Sequence, residues 1–240
     1  AQAAPLLRKP IPSSGEMIPI IGLGSARRYE EARTEADIVP LRETFARFHA
    51  LGGTVVDTAP SYGDAEAIMG RIISDLNIRR DLFICTKVGV DTPEQGRAQI
   101  AQAFEKLRTD RIDLFAVHNL RDINNQLAIL RELKQGGRIR YVGATTSFDR
   151  QYEAFEAMMR RETLDSIQID YALDNRNAAE RIIPLAAERG MAVFINLPFG
   201  RGSVFRATQG KELPAWAAEI DVTTWAQFML KYLVSHPAVT

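Results

Sequence analysis

Thr54-Val55-Val56-Asp57-Thr58-Ala59-Pro60-Ser61-Tyr62-Gly63 is the stretch on which the fold turns. Thr54, Val55 and Val56 are β-branched and favour a pleated backbone, while Pro60 and Gly63 stop the extension. Asp57 and Tyr62 are therefore expected at the carboxyl end of a buried strand. A carboxylate that ends a buried element is costly unless a cation meets it. Lys87, one strand further along the chain, is the candidate cation.

The same unit recurs on both sides. Upstream, Pro19 to Gly24 is a short apolar run ending in glycine, and a helix is expected from Pro40 with Leu41, Phe45 and Phe48 on one face and Gly52 beyond it. Gly22-Leu23-Gly24 lacks the third glycine of a dinucleotide fingerprint. Downstream, the predicted strands are Leu82–Lys87, Ile112–His118, Tyr141–Thr145, Ile167–Tyr171 and Met191–Asn196. Between them lie helical stripes: Ile68, Ile72 and Leu76; Ile100, Phe104 and Leu107; Ile123, Leu127 and Leu130; Tyr152, Phe155 and Met159; and Ala178–Arg189, interrupted at Pro184. Trp216 and Trp225 follow in a helical stretch and are expected to anchor packing.

Seven near-continuous apolar strands separated by helices imply a parallel sheet covered by helices, either a closed barrel or an open doubly wound sheet. Asp57, Lys87, His118, Thr145, Gln168 and Asn196 end successive strands at intervals of 30, 31, 27, 23 and 28 residues. One polar group per unit suits a (β/α)8 TIM barrel, whose strand ends share one mouth, better than a sheet with a single switch point. The count is one strand short, so the eighth strand and C-terminal segment are expected to lie beyond Thr240. Residues 1–18 read as a lead-in and 19–240 as one barrel domain.

The chain has 240 residues, 46% of them hydrophobic and 25% charged, with thirty basic residues balancing thirty acidic ones. That balance, without a basic patch interleaved with aromatics, excludes nucleic acid and anionic membrane as expected partners. No apolar run approaches the roughly 20 residues of a spanning helix. A single cysteine, Cys85, rules out an internal disulfide, and three histidines without paired spacing make a metal site unexpected. A monomer acting on a small ligand is expected. Ala1-Gln2-Ala3-Ala4-Pro5 resembles the stub left by signal-peptide cleavage, which points to a periplasmic or otherwise exported protein; a trimmed cytoplasmic chain would begin the same way.

Lys87 beside Asp57 makes both charges tolerable, and a lysine near Tyr62 favours phenolate over phenol, which suits Tyr62 to general acid work near neutral pH. His118 can donate a hydrogen bond to a substrate oxygen or join in protonating it. Each residue alone also fits a structural role. Together they suit protonation of a carbonyl oxygen, and the hydride must then come from a cofactor. The loop Pro198-Phe199-Gly200-Arg201-Gly202 offers backbone amides and a guanidinium where a barrel commonly binds phosphate. A barrel lyase using Lys87 as a Schiff-base amine is a further reading.

From Gly22 to Pro237 the chain resembles the aldo-keto reductase family. Asp57-Thr58-Ala59-x-x-Tyr62-Gly63, Thr86-Lys87 and Asp113-Leu114-x-x-x-His118 match its catalytic tetrad in order and spacing. The resemblance implies reduction of an aldehyde or ketone by NADPH, or by NADH, with Tyr62 as acid, Lys87 and Asp57 tuning it and His118 orienting the carbonyl. It places Gly24 and Ser25 under the nicotinamide, and Thr145, Thr146 and Gln168 at the carboxamide. Related barrels also serve as cofactor-sensing regulatory subunits. Three departures stand out: Gly143-Ala144-Thr145-Thr146 replaces Gly-Val-Ser-Asn, Asn196 replaces the aromatic on which the nicotinamide stacks, and the segment that holds the 2′-phosphate would lie past Thr240.

Overall fold

The computed structural model describes residues 6–240. The stretch Ala1–Pro5, from which export is expected, lies outside the described residues. The described residues divide into two compact units, one formed by residues 6–10 and Glu16–Ala144 and the other by Ile11–Gly15 and Thr145–Thr240.

In the first unit, an antiparallel hairpin of β1 (Arg8–Pro10) and β2 (Met17–Pro19) precedes a parallel run. That run is β3 (Gly22–Gly24), β4 (Val55–Asp57), β5 (Phe83–Val88), β6 (Ile112–His118) and β7 (Ile139–Thr146), hydrogen-bonded in chain order. The last two residues of β7 fall in the second unit. The helices are α1 (Arg28–Glu31), α2 (Glu35–Ala50), α3 (Ala65–Leu76), α4 (Pro93–Lys106) and α5 (Ile123–Gln135). Alternate residues of β5 and β6, such as Ile84 and Phe115, are fully buried, as are Met69 and Ile72 on α3 and Leu127 and Leu130 on α5. Each such side chain contributes roughly 1.5–3 kcal/mol by leaving water.

Register decides where the polar strand ends go. Asp57 pairs with Cys85, Lys87 lies two residues beyond Cys85 and pairs with Ala116, and His118 lies two beyond Ala116. Because side chains alternate with period two, Asp57, Lys87 and His118 share one face of the sheet. From β4 to β6 each carboxyl end steps further along than the last, the stagger that barrel strands require.

The predicted start of α2 at Pro40 is corrected by the structure. Thr34 caps the helix in a reciprocal box with Asp37, so the helix begins five residues earlier and Pro40 lies inside it. The box satisfies backbone donors at the true start, and the ring of Pro40 removes one bond near that end, where the remaining turns still hold the helix.

In the second unit, β8 (Ser166–Asp170) and β9 (Ala192–Asn196) are parallel, pairing Gln168 with Phe194 and Asp170 with Asn196. Its helices are α6 (Tyr152–Arg161), α7 (Ile182–Glu188), α8 (Ser203–Thr208) and α9 (Trp225–Val234). The predicted helix from Ala178 divides into a 3-10 turn at Asn177–Ala179 and α7, with Pro184 in the first turn of α7, where its missing N–H matters least. Trp225 is half-buried, with its indole N–H donating to the Lys211 carbonyl at 2.9 Å. Trp216 is 50% exposed and meets only the edge of this cluster through Phe228. Thr240 exchanges two bonds with Val193 of β9, at 3.0 and 3.1 Å. No helix among the described residues is long and apolar enough to cross a membrane.

Candidate active site

The first unit brings four predicted residues together. Lys87 is 2% exposed and its Nζ donates to Asp57 Oδ1 and Oδ2 at 2.9 and 2.8 Å and to the Thr58 carbonyl at 2.7 Å. Burial alone would lower the Lys87 pKa, but the Asp57 carboxylate and the nearby Tyr62 oxygen outweigh it, and the amine is held above its ordinary value. The ammonium sits 5.5 Å from the centre of the Tyr62 ring. Tyr62 in turn meets His118 edge-on, with ring centres 6.3 Å apart and planes at 87°.

Local structure explains these placements. After β4 the Thr58 amide bonds to the Cys85 carbonyl, which ties the strand end to β5. The chain then turns, with the Tyr62 amide on the Ala59 carbonyl at 3.1 Å. Gly63 adopts φ 53°, a conformation costly for residues with a Cβ, and so delivers Tyr62 directly into α3. The Ser25 amide donates to the Asp57 carbonyl at 3.1 Å, which brings the end of β3 to the same rim. Among the described residues Ser25 Oγ is buried without a partner, and no atom comes within 4 Å of where a Cβ on Gly24 would stand.

His118 is mostly buried. Burial first, then the positive charges of Lys87 and Arg121, push its pKa from 6.5 down to about 4. It is therefore neutral at pH 7 and can donate a hydrogen bond from one ring nitrogen, which favours orienting a carbonyl over supplying a proton as imidazolium.

The predicted cofactor residues of the second unit divide by what their side chains already do. The Thr146 hydroxyl donates to Gln151 Oε1 at 2.5 Å and accepts from the Phe148 amide, so it serves its own turn. Thr145 beside it is buried at the end of β7. The alternation of β8 and β9 puts Gln168 and Asn196 on one face of this pair of strands. Asn196 Oδ1 is buried with no hydrogen-bond partner among the described residues. The loop from Leu197 to Gly202 holds left-handed φ values at Leu197, Gly200, Arg201 and Gly202, while Phe199 packs on Phe205 at 4.8 Å and Pro198 precedes it. At Gly200 a Cβ would stand 2.3 Å from Ser203 Oγ and 2.5 Å from Asp174 Oδ1, so only glycine fits. A nicotinamide dinucleotide asks for polar partners at its carboxamide and close backbone approach at its phosphates. An orphaned amide oxygen able to accept from a carboxamide N–H, beside a glycine-rich loop with backbone N–H groups to donate, offers partners of that kind.

Residues 20–240 match the model of the aldo/keto reductase family. The chain belongs to that family. Among its relatives, the aldo-keto reductase YhdN of Bacillus subtilis (strain 168) is 30% identical over 166 residues, 63% of this chain and 49% of the relative. The NADH-specific methylglyoxal reductase of Escherichia coli (strain K12) is 26% identical over 219 residues, 80% of this chain and 66% of the relative. The crystal structure of the thermostable aldo-keto reductase Tm1743 with the inhibitor epalrestat superposes with a TM-score of 0.80 at 25% identity, covering 98% of this chain and 88% of that one. The chain thus spans about half the length of YhdN and about two thirds of the methylglyoxal reductase. The fold class is the family's (β/α)8 barrel, of which seven parallel strands stand among the described residues.

Three features of this reductase-family rim escaped the sequence. The Thr58 carbonyl is a third acceptor for Lys87, and a backbone group carries no residue signal. Gly89 lies against His118, where a Cβ would come within 3.0 Å of the His118 Cβ. Arg121 donates to the Gly89 carbonyl at 2.9 Å and pairs with Asp91, drawing the loops after β5 and β6 together. In the loop after β3, Tyr29 is buried and Arg27 and Arg28 are exposed.

Proposed function

We propose that this aldo-keto reductase reduces an aldehyde or ketone to an alcohol, with Tyr62 delivering the proton to the carbonyl oxygen. One observation carries the reading: a lysine buried beside a phenol, with all three of its donors engaged and a neutral imidazole at the edge of the same ring. NADPH or NADH, when bound, supplies the hydride. In the second unit, Gln168, Asn196 and the Pro198–Gly202 loop would hold it.

The chain's own residues account for the proton. As Tyr62 gives up its hydrogen, negative charge grows on its oxygen, and the Lys87 ammonium stabilises that charge in a site sheltered from water. Asp57 keeps Lys87 charged and fixed. His118 donates a ring N–H to the substrate oxygen and aligns it with Tyr62. The same geometry counts against a Schiff-base lyase, because Lys87 is protonated and inaccessible as an amine. The complete tetrad also counts against a purely cofactor-sensing barrel.

Tyr62→Phe keeps the ring and removes the proton. It is expected to cut turnover about 10²- to 10⁴-fold while NADPH and NADH binding, followed by fluorescence, stays within a factor of two. Equal loss of binding and turnover would contradict the assignment.

A further inference from the structure

The first unit carries a large cavity at the end of its strands opposite the tetrad. It measures about 1080 Å³ and is lined by the residues that open four successive strands: Thr54 before β4, Leu82 and Phe83 at β5, Arg111 before β6, and Arg138 before β7. Phe83 and Lys87 are four residues apart on β5, so floor and tetrad are separated by about 13 Å at strand rise. The cavity is therefore distinct from the candidate active site.

Its lining is unusual in charge. Six arginines face four carboxylates in a chain with no net charge. The carboxylates are largely taken: Asp113 binds Arg79 and Arg140, Glu16 binds Arg140 and the Tyr141 hydroxyl, and Asp81 binds His49. Arg8 and Arg138 donate only to backbone carbonyls, of Met17 and Asp110 respectively. Among the described residues Arg80 and Arg111 have no carboxylate partner, Asp110 meets no cation, and the partner of Asp81 is an imidazole and not an arginine or lysine. Four guanidiniums thus border one concave space against two carboxylates, Asp81 and Asp110, that no arginine or lysine meets, an excess of two positive charges. Guanidinium forks match phosphate oxygens in pairs, which makes such a ring selective for multiply charged phosphates over a lone small anion.

We propose that this cavity binds a small polyanion of the di- or triphosphate class, held chiefly by Arg80 and Arg111. The site stands independently of the carbonyl-reductase reading, because none of its residues belongs to the tetrad or to the predicted cofactor set.

Inorganic pyrophosphate is the probe, titrated into the full chain by calorimetry at low ionic strength, with sulfate as the single-group control. Saturable one-site binding at least tenfold tighter than sulfate, weakening as salt is raised, is expected. The Arg80→Ala/Arg111→Ala double variant should lose at least tenfold in affinity, and both residues are exposed, so its fold should survive. Asp110→Asn should tighten binding several-fold, a direction that general destabilisation does not produce. No saturable binding, equal affinity for sulfate, or indifference to the double variant would each overturn the proposal. So would displacement of pyrophosphate by saturating NADPH, since that would assign it to the cofactor site.

Discussion

Replacing Lys87 by Met removes the ammonium and keeps most of the side chain's volume, and the structure sets two separate magnitudes for the result. The charge lies 5.5 Å from the Tyr62 ring centre. At an effective dielectric of about 20, a unit charge forming at that distance gains about 3 kcal/mol from the ammonium, equivalent to roughly 10²-fold in rate. Stability responds for a different reason. Asp57 loses its cation and both of its bonds to Nζ, and its side chain is 25% exposed. Breaking a fully buried pair costs about 3–5 kcal/mol, so partial exposure brings the expected loss to about 2–3 kcal/mol. The two effects separate in the double variant. Asp57→Asn/Lys87→Met replaces a stranded carboxylate with a neutral amide and should recover much of the stability measured by urea unfolding. Its turnover, read from nicotinamide absorbance with an aldehyde in excess, should stay as low as that of the single variant. A Lys87→Met protein within threefold of wild-type turnover, or a double variant that regains both quantities, would refute the argument that the charge itself acts on Tyr62.

His118 makes acid stability predictable. Its folded pKa is about 4 and its ordinary value is 6.5, so the unfolded chain binds the proton more tightly and folding stability falls as pH drops between those limits. The loss should approach about 3 kcal/mol by pH 4, and His118→Gln should remove that portion of the slope in urea titrations across this range. If the slope is unchanged, the imidazole is not held neutral. Gly89→Ala places a Cβ 3.0 Å from the His118 Cβ. A displacement of a few tenths of an ångström should lower turnover several-fold, by scaling the roughly 10²-fold loss expected for a 1 Å misplacement, with unfolding free energy nearly unchanged. Wild-type turnover would mean that His118 is not held as tightly as the packing indicates.

The tetrad was legible because its information is local. β-branched runs mark the strands, period-two alternation places every second residue on one face, and Asp57, Lys87 and His118 end their strands on that face. The strand Ile112–His118 coincides with its sequence reading to the residue. A glycine's backbone freedom is likewise a property of a single residue, and Gly52, at φ 89°, marked the end of α2. What failed was Pro40 as a helix start, because the box between Thr34 and Asp37 caps the helix five residues earlier and leaves Pro40 inside it.

The sequence by itself determined the alternation of strands and helices, the identity of the four rim residues and the need for a cation beside Asp57. Only the tertiary structure decided that His118 is neutral, because its pKa depends on Lys87 and Arg121 converging on a buried ring from different strands and loops. Only the tertiary structure gathered Arg80, Arg111 and Arg138 around one cavity. They sit in separate turns that open successive strands, and side-by-side pairing of those strands brings together charges that the chain keeps about thirty residues apart. Electrostatics sums over neighbours in space, and a one-dimensional reading does not contain that neighbourhood.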